Sequence, residues 1–204
     1  MSFQVTPPFI LRRLSPGITW KIPTTSRHIH LTFDDGPIPE VTAFVLDQLK
    51  QHAALASFFC LGKNVIKHDG LFKRIVEEGH GIGNHTFNHL NGWKTSHSAY
   101  SRDVIAASKV ISSNLFRPPY GRITVSQARS IMKRYKIIMW DVLSYDFDKN
   151  TSKEKCLHNV ISHTKPGSIV VFHDSLKASK NLEYVLPRYL EWIGENNFKC
   201  KKIN

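Results

Sequence analysis

Thr32-Phe33-Asp34-Asp35-Gly36-Pro37 closes an apolar run that begins at His28, and His85-Thr86-Phe87-Asn88-His89 follows about fifty residues later. Side chains alternate along a regular strand, so neighbouring carboxylates cannot both point one way on it. Where a strand ends and the backbone turns, both can reach one cleft. His85 and His89 are four apart, which on a helical turn puts both on one face. One Asp with two His makes an open site of hard and borderline ligands, suited to Zn²⁺ or another divalent ion. The second Asp is then free to act as a base. Such a set is equipped to activate a water.

Outward from these motifs, strands and helices alternate. Strands are expected at His28–Phe33, Leu55–Leu61, Gly81–Asn84, Leu115–Arg117, Lys136–Trp140, Ser168–His173 and Phe198–Ile203. Helices are expected at Pro39–His52, Leu71–Glu78, Ser96–Ser112, Val125–Tyr135, Ser152–Thr164 and Asn181–Asn197. Gly79-His80-Gly81 and Pro166-Gly167 end helices, and Pro118-Pro119 breaks a strand. Residues 1–27, punctuated by Pro7-Pro8, Pro16-Gly17 and Pro23, read as an extended N-terminal extension packed on a domain at 28–204. Ile18–Ile22 suggests a short outer strand. Repeated strand–helix units imply an α/β fold with parallel strands and crossover helices. Asp34-Asp35, His85, Arg117, Asp141 and His173 all follow strands. A distorted (β/α) barrel of about seven strands gathers such residues at its C-terminal rim.

The chain has 204 residues, 41% of them hydrophobic and 22% charged, enough for one domain with a core. Its net charge of +12 comes from scattered Lys and Arg, dense only at Lys199–Lys202. No nucleic-acid-binding signature accompanies that charge, so a basic solvated surface is the reading and a nucleic-acid partner is not expected. Cys60, Cys156 and Cys200 are odd in number and lack metal or disulfide spacing. No signal-peptide pattern opens the chain and no stretch approaches a membrane span, so a cytoplasmic protein is expected. Oligomeric state is not legible.

The motifs together resemble the polysaccharide deacetylases of carbohydrate esterase family 4, the NodB homology domain, over about residues 28–200. The resemblance implies a distorted (β/α) barrel that removes acetyl groups from N-acetylated sugars, or O-acetyl groups from xylan, with one divalent metal. Zn²⁺ is the first choice, with Co²⁺, Ni²⁺ and Mn²⁺ as alternatives. On the first motif, Thr32 to Gly36, it makes Asp34 the general base and Asp35 a metal ligand. On the second it makes His85 and His89 the other ligands. The lack of H-E-x-x-H disfavours a zinc protease of that type. On the third motif, Arg117-Pro118-Pro119-Tyr120-Gly121, it gives Arg117 the orienting of the base and the Tyr120 backbone N–H the oxyanion. A Pro-Pro bend rigidly aims the following amide, which suits that task. A plain strand break with a snorkelling Arg is the alternative.

The fourth motif departs from the family twice, because Leu143 stands where an Asp is usual and Phe147 where a Trp is. The resemblance leaves Asp146 to tune the catalytic histidine and Phe147 as an aromatic wall. Asp141 and Asp148 are the candidates to replace the missing carboxylate near Arg117. In the fifth motif, Val171-Phe172-His173, the resemblance makes His173 the general acid and puts Val171 in the acetyl-methyl pocket. Trp93 is placed to cover a sugar face or else to pack inside. The implied function is a metal-dependent hydrolase acting on an acetylated glycan of chitin or peptidoglycan type. The alternatives are a deacylase of another acetylated glycan or small amide, and a non-catalytic glycan-binding relic. Leu143 and Phe147 favour the relic, whereas the retention of both base and acid opposes it.

Overall fold

A computed structural model describes residues 5–204. Among them run α1 (Phe9–Arg13), β1 (Ile18–Thr19), β2 (His28–Asp34), α2 (Pro39–Gln51), β3 (Ala56–Cys60), α3 (Gly62–Lys67) and α4 (Asp69–Glu77). There follow β4 (Gly81–Asn84), α5 (His97–Ser108), β5 (Leu115–Phe116), α6 (Val125–Ile131), β6 (Lys136–Ile138) and β7 (Val142–Leu143). The chain ends with α7 (Lys153–His163), β8 (Ile169–His173), α8 (Ser179–Glu195) and β9 (Lys199–Cys200).

The strands form a curled parallel sheet in the order β1-β6-β5-β4-β3-β2-β8-β7, with β9 pairing the start of β2. β1 and β7 are the two ends of that order, so this is an open, distorted barrel wrapped by helices. Period-two alternation explains the layering. Ile29, Leu31 and Phe33 of β2 face the helices, where they meet Val45, Leu49 and Leu186. Thr32 and Asp34 point into the barrel. Phe33 lies between Phe58 and Phe172, with ring centroids 5.1 and 5.9 Å away. Burial of such a ring contributes about 1.5–3 kcal/mol. Inside the barrel Phe59 packs with Leu115, Ile138 and Ile169. A Cβ on Gly83 would lie 2.4 Å from the Phe59 ring, so β4 carries a glycine where the inward ring needs the space.

Three elements correct the sequence expectation. α1 and α3 are helical, the first inside the segment expected to be extended. Both are shorter than two turns and carry no periodic apolar stripe to announce them. β7 is only two residues long, yet its pairing with β8 adds a strand to the expected seven. β1 pairs β6 in parallel, so the N-terminal segment supplies an edge strand of the sheet itself. Among the described residues no helix is long and apolar enough to cross a membrane.

Candidate active site

β2 ends at Asp34, and the chain turns sharply at Asp35, whose φ is 84°. That turn lets consecutive carboxylates face one cleft at the C-terminal rim. Gly36 is required next, because a Cβ there would sit 1.9 Å from Asp174 Oδ2. Instead the Gly36 N–H donates to Asp174 Oδ1 at 3.0 Å, and the Thr42 hydroxyl donates to Oδ2 at 2.6 Å. Burial pushes the Asp174 carboxyl up to about 8. Asn64 Nδ2 donates to the Asp35 carbonyl at 2.7 Å. Sequence reasoning missed Asp174 and Asn64. The adjacency of Asp174 to His173 and the glycine after Asp35 were the available signals.

His85 and His89 meet, with ring centroids 5.2 Å apart, but not on a helical turn. They flank a loop after β4 in which Thr86 and His89 have φ of 68° and 62°. Side chains in place of helical bonds hold this loop. Asn84 Oδ1 accepts from Thr86 N at 2.8 Å, Thr86 Oγ1 accepts from His89 N at 2.9 Å, and the Asp103 carboxylate accepts from Phe87 N and Asn88 N. Asn84 and Asp103 are thus further positioning residues, invisible in the sequence because the motif's spacing reads as helical.

His85 Nδ1 lies 2.7 Å from the Arg117 carbonyl. A carbonyl only accepts, so Nδ1 carries the proton and Nε2 is left with its lone pair. Burial holds the imidazole down at about 4, which keeps it neutral. Asp35 Oδ1 is 3.1 Å from His89 Nε2 and 3.7 Å from His85 Nε2. It is buried and makes no well-directed hydrogen bond. Burial alone would raise Asp35, but His89, His173 and His85 outweigh it and hold the carboxyl below the usual range. Ligand atoms of Asp35, His85 and His89 all lie within 4.8 Å of one another. An orphaned buried carboxylate oxygen facing two imidazole nitrogens, one with its lone pair directed inward, fits a divalent cation.

Arg117 is fully buried and does not snorkel. Nη1 donates to Asp34 Oδ1 and to Thr32 Oγ1, both at 2.7 Å. Nε and Nη2 donate to the carbonyls of Ile138 and Met139 at 3.1 and 3.0 Å, and the guanidinium lies 4.1 Å over Phe59. Backbone carbonyls therefore take the place of the missing carboxylate. Neither candidate replacement serves. Asp141 accepts from Ser168 Oγ and Ile169 N, and Asp148 accepts from Asn150 N.

Asp34 and His173 are register partners on β2 and β8, which sets them side by side. Asp146 binds His173 twice, accepting from its backbone N at 2.7 Å and from Nδ1 at 2.8 Å. Burial pulls the imidazole down, but Asp146, Asp35 and Asp34 together raise it to about 9. Phe147 meets the His173 ring edge-on at 4.8 Å. Val171 and Leu143, also register partners, line the same cleft of about 460 Å³. Tyr120 has a φ of 60°, and its hydroxyl lies 3.1 Å from His89 Nδ1. Lys177 lines the cleft as well, with its ammonium 5.5 Å from the Phe147 ring. Trp93 lies outside the cleft. It borders a neighbouring groove, with its indole N–H donating to the Ile123 carbonyl at 3.2 Å.

The family model described as polysaccharide deacetylase matches residues 21–139. Two peptidoglycan-N-acetylglucosamine deacetylases of Bacillus cereus are each 36% identical to this chain. In one the match covers 92% of this chain and 91% of the relative. In the other it covers 75% of this chain and 58% of the relative, so the chain spans little more than half of that longer protein. A solved peptidoglycan N-acetylglucosamine deacetylase, in complex with 4-naphthalen-1-yl-N-oxidanyl-benzamide, superposes with a TM-score of 0.88 at 29% identity, over 97% of this chain and 95% of that one. A matching sequence model over more than half the chain, a relative alike along nearly its whole length and a shared fold agree: the chain belongs to the polysaccharide deacetylase family.

Proposed function

We propose that this protein is a metal-dependent hydrolase that removes acetyl groups from an N-acetylated glycan, releasing acetate and a free amine. The observation that carries this reading is the convergence of Asp34, Asp35, His85, His89 and His173 on one cleft, with Asp35 Oδ1 facing both imidazole Nε2 atoms. Asp35, His85 and His89 would hold the ion, Zn²⁺ first among the candidates. A bound divalent ion makes a water more acidic and draws charge from a carbonyl oxygen.

The chain's own groups account for the proton movements. Asp34, pinned by Arg117 through one oxygen, keeps the other to take the proton of the attacking water. The acetamide carbonyl oxygen gains negative charge as water adds, and the Tyr120 backbone N–H donates to it. His173, whose Nδ1 proton is committed to Asp146, presents Nε2 to the leaving nitrogen and protonates it. Val171 and Phe147 shape the space for the acetyl methyl.

Peptidoglycan is the favoured glycan class, because both Bacillus cereus relatives are named for it. The test is acetate release from peptidoglycan fragments, chitooligosaccharides and acetylated xylan, each with and without chelator. Release from the N-acetylated glycans that chelation stops and Zn²⁺ restores is the expected result. Release from xylan alone, or release indifferent to chelator, would overturn the reading.

A further inference from the structure

The catalytic cleft is not the larger space on this rim. Beside it lies a groove of about 810 Å³. Tyr120, Gly121, Trp140 and Leu143 border both. Beyond that seam aliphatic and aromatic side chains of four segments make most of the groove wall, with Arg122 and Arg129 among its polar lining. Leu11 and Leu14 come from α1 and the turn after it, Ile123 and Val125 from the chain entering α6, and Trp20 and Trp93 from two loops. Leu14, Val125 and Trp93 are 74%, 68% and 65% exposed, a large apolar surface to leave beside a hydrolytic site.

The seam itself is apolar for identifiable reasons. Leu143 stands where a carboxylate would put charge between the two spaces. Gly121, with φ of 64°, brings the backbone against the Trp140 ring, and a Cβ there would meet the ring at 2.7 Å. Leu143 is the register partner of Val171, which lines the acyl side of the cleft. Leu143 and Trp140 border both spaces, so a chain longer than acetyl leaving the Val171 side of the cleft would pass along them into the groove.

We infer that the groove binds an apolar acyl chain longer than acetyl, making this chain an N-deacylase for amino sugars that carry medium-chain alkanoyl groups. The inference rests on the hydrolytic reading of the adjoining cleft. Continuity names the occupant: a chain attached to the carbonyl carbon held beside Asp34 has an apolar path from Val171 past Leu143. The reaction balances as simple hydrolysis. The water oxygen bonds to the acyl carbon, the C–N bond breaks, the nitrogen takes a proton, and the products are an alkanoic acid and a free amine.

The test uses glucosamine tetramers carrying one N-acetyl, N-butyryl or N-octanoyl group. Each buried methylene is worth about fourfold in affinity, so partial burial of the six added in octanoyl gives at least about tenfold. Wild-type kcat/KM should rise by that factor from acetyl to octanoyl. In full-length Asp34→Asn, where binding is read without turnover by tryptophan fluorescence, Kd should fall by the same factor. The double variant Leu14→Asp/Val125→Asp alters exposed groove residues outside the cleft. It should erase the octanoyl advantage and leave acetate release unchanged. Equal Kd for acetyl and octanoyl tetramers overturns the inference, as does cleavage of acetyl with none of octanoyl. If no tetramer is cleaved, the hydrolytic reading fails separately and the Kd comparison still decides the groove. The wild-type series decides it as well should the double variant not fold.

Discussion

Asp34 Oδ1 and Arg117 Nη1 lie 2.7 Å apart at the top of the barrel, with Arg117 sealed from solvent and Asp34 open only to the cleft. The pair is buried at a substantial desolvation cost, met by the further hydrogen bonds of Arg117 to Thr32, Ile138 and Met139. Its consequence is geometric: one oxygen of Asp34 is fixed and the other is aimed at the cleft. Replacing Arg117 with Leu leaves a buried, uncompensated carboxylate. Stability should fall by about 3–5 kcal/mol in urea unfolding, with hydrolysis lost. A loss under about 1 kcal/mol would show that the pair is dispensable to the fold.

Asp34→Asn separates chemistry from architecture. The amide oxygen still accepts from Arg117 but leaves its buried guanidinium without a counter-charge, so the melting temperature should fall, by less than in Arg117→Leu, and Zn²⁺ binding by calorimetry should persist in the folded variant. The amide cannot take a proton, so the rate should fall by about 10²–10⁴-fold. Turnover near wild type would remove Asp34 from the role of base.

His89→Ala should abolish calorimetric Zn²⁺ binding with only a small change in the unfolding curve, because His89 sits on a loop above the core. Asp103→Ala should weaken binding by about 10–100-fold without touching a ligand, since Asp103 positions the loop between His85 and His89. Undiminished Zn²⁺ affinity in His89→Ala would place the ion elsewhere.

Asp146→Asn should move the alkaline limb of the kcat/KM–pH profile downward. The Asp146 anion raises His173, which sits near about 9. Removing that anion lowers the imidazole, so the acid loses its proton earlier as pH rises. Amide substrates should suffer more than activated aryl esters, whose leaving groups need no proton. An unmoved alkaline limb with metal still bound would assign the tuning to another group.

Asp174→Asn addresses the buried support beneath Gly36. Burial raises Asp174 to about 8, above its ordinary value of 3.8. The unfolded chain therefore releases this proton first, and wild-type stability drains away as pH rises from about 4 through about 8. The variant lacks that titration and still offers an oxygen to the Gly36 N–H. Chelator-treated wild type should lose stability between about pH 5 and 8 relative to Asp174→Asn. Parallel stability–pH curves for the two proteins would mean that Asp174 is ionised throughout.

Much of this protein is legible in its residue order. The alternation of strand and helix patterns implies a parallel sheet, and the polar residues fall at strand ends because apolar runs fill the core while charged groups need water or a partner. The chemistry of the site, two carboxylates, two histidines and a later histidine, is likewise written in residue types. Short-range signals failed where long-range contacts override them. His85 and His89 have helical spacing, yet Asn84 and Asp103 hold their loop in left-handed turns. β7 is too short to signal itself and exists through its pairing with β8.

What only the tertiary structure decided is adjacency. Asp34 and His173 lie far apart in sequence and become neighbours through the parallel register of β2 and β8. Arg117 finds carbonyls where the motif suggested a carboxylate, and no reading of Asp141 or Asp148 could exclude them. The groove beside the cleft is assembled from α1, β1 and the chain around α6, segments whose composition says nothing of one another. Residue chemistry is local and survives in the sequence. Which groups share a cleft depends on strand order and register, set by the packing of the whole core.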